Sequence, residues 1–71
     1  MENDQVMIHV RFAADGSVTE IGERPAALSA QDWFNRLSDS AGDSYNALSG
    51  GRGLFRLARG QVDEIKVGNS H

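Results

Sequence analysis

Seventy-one residues, 39% hydrophobic and 24% charged with a single proline, suit one small domain, 1–71, and are too few for a second hydrophobic core. The absence of cysteine removes disulfides, thiolate metal sites and a cysteine nucleophile from consideration. No apolar run approaches the roughly 20 residues of a membrane-spanning helix, and the acidic start Met1-Glu2-Asn3-Asp4-Gln5 is unlike the basic end of a signal peptide, so the expected setting is cytoplasmic with no membrane partner.

Along the chain, Val6, Ile8, Val10 and Phe12 alternate with Met7, His9 and Arg11, the period-2 pattern of a strand buried on one face. Asp15-Gly16, within Ala13 to Ser17, is a turn signal, and Val18 to Ile21 can return as a second strand, giving a hairpin with a longer or bulged loop. Gly22 to Pro25 breaks the ladder.

A helix is expected from Ala30 to Ala41. Ser29 followed by Asp32 reads as a capping box, and Trp33, Phe34, Leu37 and Ala41 form one apolar stripe, with Gln31, Asn35, Arg36 and Asp39 pointing elsewhere. Gly42 is placed to end the helix in the left-handed conformation. Asp43 could then cap a further short turn carrying Tyr45 and Leu48, ended by Gly50 and Gly51.

Leu54 to Arg59 reads as a third strand with Phe55 and Leu57 on one face and Arg56 on the other. Residues 61 to 67 fit either a helix, from the spacing of Val62 and Ile65, or a strand, from the alternation of Ile65 and Val67. The expected architecture is α+β, a three-stranded antiparallel sheet made of the N-terminal hairpin plus a C-terminal strand, with one main helix packed on one face. Residues 1–4 and 68–71 are expected to fray.

Few residues could carry chemistry. His9 sits on the exposed face of the first strand and His71 ends the chain. The carboxylates Asp15, Glu20, Glu23, Asp32, Asp39 and Asp43 each suit a turn, cap or solvated face. Gly50-Gly51-Arg52-Gly53 lacks the lysine and the following helix of a phosphate loop and reads as a connector. No catalytic, cofactor or metal residues are assigned, and the expectation is a protein that is not an enzyme.

Two binding features stand out. A thin sheet need not cover both Trp33 and Phe34, which point about 100° apart on a helix, so Trp33, Phe34 and Tyr45 are candidate contacts to another protein or to a second copy. A homodimer, with the C-terminal strand exchanged across the glycine-flanked stretch 42–53, would strengthen a fold lacking disulfides or metal. Charge is also uneven within the net −3: residues 1–51 hold eight acids against three bases, residues 52–71 two acids against four bases. Arg52, Arg56 and Arg59 lie in a stretch, 44–62, without acids, and make weak nucleic-acid binding the alternative to a self-associating interaction module.

Overall fold

The alternation in the first strand sets the architecture. In the computed structural model, which describes residues 5–67, β1 (Gln5–Phe12) turns Ile8 and Val10 into the core and leaves Gln5, Met7, His9 and Arg11 exposed on its other face. It is followed by β2 (Val18–Ile21), α1 (Ala30–Ala41), β3 (Tyr45–Leu48), β4 (Arg52–Ala58) and α2 (Arg59–Val67). The strands form a four-stranded sheet in the order β2-β1-β4-β3, with every neighbouring pair antiparallel.

The sheet is thus two hairpins joined through their inner strands. β1 and β2 share a bulge at Arg11/Phe12, and the turn between them is closed by Asp15: its Oδ1 accepts from the Ser17 amide at 2.9 Å and the Ser17 hydroxyl at 2.7 Å. These bonds hold the Asp15 carboxyl below its ordinary range. β4 runs beside β1 from Gln5↔Ala58 to Arg11↔Arg52.

The helix predicted over Ala30–Ala41 is present, with Ser29 Oγ accepting from the Asp32 amide at 3.1 Å. Its stripe packs as patterned: Trp33, Leu37 and Ala41 are buried and Phe34 is half-buried. Gln31 does not merely face solvent, since its Oε1 accepts from the Val18 amide of β2 at 2.9 Å. Gly42 departs from expectation too. It is right-handed, at φ −57°, and leads into a single 3-10 turn, Gly42–Ser44.

The sheet has four strands, not three. Tyr45–Leu48, expected as a helical turn, is the edge strand β3, registered Tyr45↔Phe55 through Leu48↔Arg52 against β4. Four residues are too short for a legible period, and pairing with β4 rather than local propensity sets their conformation. The connector is consequently a tight hairpin turn, with Gly50 and Gly51 at φ +81° and +71°, values open to glycine at little cost.

The ambiguous final segment is helical. β4 ends at Ala58, and Arg59 and Gly60 begin α2. Val62 and Ile65 are buried from it into the same core as Trp33, Ile8, Phe55 and Leu57. Both helices therefore cover one face of the sheet. The ends expected to fray, 1–4 and 68–71, lie outside the described residues.

Candidate functional site

The covered face accounts for the aromatic candidates. Trp33 has no exposed surface, and its indole N–H donates to the Gly22 carbonyl at 2.9 Å, so it is a core residue and offers nothing to a partner. Phe34 packs edge-on against Phe12, Tyr45 and Phe55, with ring centroids 5.5, 5.8 and 5.7 Å away. Tyr45 lies 5.0 Å from Phe55. Both Phe34 and Tyr45 stay half-buried, because β3 brings the Tyr45 ring against those of Phe34 and Phe55.

The arginine candidates separate. Arg59, at the start of α2, donates to Glu23 Oε1 at 2.7 Å, and Lys66 from the last turn donates to the same oxygen at 3.0 Å. Glu23 reaches them from a backbone at φ +63°, unusual for a residue with a Cβ. The Lys66 hydrogen bond, partly opposed by desolvation and helped by the charge of Arg59, holds the Glu23 carboxyl below its ordinary range. Arg59 thus ties α2 to the loop after β2 and plays no part in an arginine-bearing strand face.

Arg52 and Arg56 instead lie on the face of the sheet opposite the helices. Register adds Arg11, the cross-strand partner of Arg52, a residue outside the predicted set. The alternation of β1 carried that signal, since Arg11 and His9 share the side of the strand opposite Ile8 and Val10. The same face presents Met7 beside Arg56, Leu54 beside His9 and Asn46, and Leu48 beside Arg52. Met7 is 55% and Leu48 40% exposed, whereas Leu54 is only 8% exposed although it stands apart from the helix-covered core cluster.

Glu20 is the one acid in the four strands, and they contain no lysine. It pairs loosely with Arg11, Oε1 to Nε 3.9 Å, both side chains being well exposed. Two shallow hollows border this region. One of about 510 Å³ is lined by His9, Glu20, Gly22 and Arg24 among others, and one of about 200 Å³ by His9, Val10, Arg11, Glu20 and Arg52.

His9 is exposed, as its strand position predicts. Among the described residues no three of His, Asp and Glu are grouped as metal ligands, and no described helix is long and apolar enough to cross a membrane. No family model, no curated protein and no solved structure matches this chain.

Proposed function

We propose that the chain is a non-enzymatic interaction module that docks an acidic protein partner on the open face of its sheet. The observation that carries this reading is the collection of Arg11, Arg52 and Arg56 around Met7, Leu48 and Leu54 on a face to which the strands contribute one acid. An antiparallel sheet can leave one face to water, but such a face is ordinarily rich in lysine, glutamate and threonine. Arginine and methionine with few acids and no lysine is the composition of contact surfaces. The chain carries a net charge of −3, so this face is a local positive patch on an acidic molecule, which favours acidic partners.

The face fits a nucleic acid less well than a protein. Phe55, the aromatic expected to stack a base, points into the core with no exposed surface, and the four strands place no aromatic on the open side to replace it. Three arginines also supply few phosphate contacts. Self-association through this face is opposed by its own charge, because a twofold contact would set each copy's arginines against the other's. A homodimer would instead use the half-buried Phe34 and Tyr45 beside the edge strand β3. The lack of cysteine suits a reducing, cytoplasmic setting.

Selection from a displayed peptide library tests the reading. Enriched peptides are expected to be acidic with apolar residues interspersed, and their binding is expected to fall by about tenfold or more with Arg56→Glu. Enrichment of neutral or basic peptides, or indifference to Arg56→Glu, would contradict it.

A further inference from the structure

Phe12 N–H donates to the Gly51 carbonyl at 2.9 Å, which makes the adjacent Arg11↔Arg52 pair a non-hydrogen-bonded one. In such pairs the Cα atoms are only about 4.5 Å apart and the side chains are at their closest. Like charges directly opposite each other destabilise a sheet. Here the strands nonetheless set two arginines opposite each other, whose guanidinium groups cannot lose their charge.

Among the described residues neither group has a close acid partner. Arg11 has Glu20 at 3.9 Å, with the carboxylate about three-quarters exposed. Arg52 spends Nε on the Ser49 carbonyl at 3.4 Å, which offers a dipole and no charge. The hollow of about 200 Å³ lies between them, with His9 on its wall. Its volume suits a single small oxyanion; two arginines and an imidazole line it, and so does the Glu20 carboxylate, which an entering anion displaces from its loose contact with Arg11.

We infer that Arg11 and Arg52, with His9, form a seat for a phosphate monoester carried on a protein segment. This deepens the proposed docking role and rests on it. Two guanidinium groups set against one exposed carboxylate, Glu20, leave the hollow positive and favour an anion with several acceptor oxygens. A phosphorylated side chain carries about −1.5 to −2 charges and three acceptor oxygens, enough to engage both forks, whereas a single carboxylate or a phosphodiester supplies one charge. Arg56, further along β4 on the same face, is placed for an acidic residue of the same segment, and Met7 for an apolar one.

The test follows backbone amide shifts by NMR as the intact protein is titrated with inorganic phosphate, with an acidic phosphoserine peptide, with its unphosphorylated counterpart, and with a single-stranded oligonucleotide. Saturable shifts at His9, Arg11 and Arg52 with phosphate are expected, together with affinity for the phosphopeptide about tenfold or more above that for its counterpart. Arg52→Gln and Arg11→Gln, both at exposed positions, should each abolish that preference while the spectrum stays folded. Equal binding of the two peptides, both still weakened by Arg56→Glu, would overturn the phosphate seat and leave the docking face standing. Failure of both peptides to shift the open face would overturn both. Tighter binding of the oligonucleotide than of the phosphopeptide would overturn the protein source of the phosphate.

Discussion

Gly53 lies directly beneath the ring of Tyr45: a Cβ added at position 53 would collide with the Tyr45 ring and hydroxyl. The glycine sits on the core face of β4, opposite Val10 on one side and Ala47 on the other. The missing side chain is the space that the edge-strand tyrosine fills, and this covers a gap that glycine would otherwise leave in an inner strand. Gly53→Ala should therefore cost about 1–3 kcal/mol by overpacking. Combined with Tyr45→Ala it should cost less than the sum of the two, a coupling of about 0.5 kcal/mol or more that urea unfolding of the four variants can resolve.

Trp33 is a core residue, and its loss should be far more damaging than that of an interface anchor. Trp33→Ala removes the largest fully buried side chain and its bond to the Gly22 carbonyl. The expected cost of about 3–5 kcal/mol is comparable with the whole stability of a domain this small. Circular dichroism should find the variant largely unfolded at 25 °C. A variant that stayed folded and changed only its state of association would return Trp33 to the interface.

The tie from Glu23 to Arg59 and Lys66 gives the fold a dependence on acid. Because the Glu23 pKa is lowered in the folded chain, its contribution is fully present above the unfolded glutamate value, about 4.3, and is lost as pH falls through the folded value. Glu23→Gln should cost about 0.5–1 kcal/mol near neutrality, as expected for a partly exposed ion pair. The stability difference between the two proteins should shrink between about pH 5 and pH 3, which paired urea titrations would follow.

The β3–β4 turn should reject side chains. Gly50→Ala, at φ +81°, is expected to cost about 1 kcal/mol and to lower the melting temperature by about 4–8 °C. Gly50→Asn should cost less, because asparagine tolerates the left-handed region.

Elements that announce themselves through a repeated local pattern were legible in the sequence. The alternation from Val6 to Phe12 gave β1 with its faces correct, and Ser29 with the Trp33–Leu37–Ala41 stripe gave α1 with its bounds. β3 was not legible, because Tyr45-Asn46-Ala47-Leu48 has no pattern of its own and is held by β4, a partner set by tertiary pairing. The same cause hid the site. Arg52 and Arg56 were visible as a charge cluster, but Arg59 seemed to belong with them until the strand ended at Ala58, and Arg11 joined them only through a register linking residues about 40 positions apart. Which aromatics are core was not legible either: Trp33 is fully buried, while Phe34 and Tyr45 stay half-buried beside β3.

Chemical-shift mapping with an acidic, leucine-containing peptide tests the docking face most directly. Shifts centred on Met7, Arg11, Leu48, Arg52, Leu54 and Arg56, weakening as salt rises, are expected. Shifts centred on α1, α2 or the Phe34–Tyr45 edge, with the open sheet face unmoved, would contradict the assignment of that face as the binding surface.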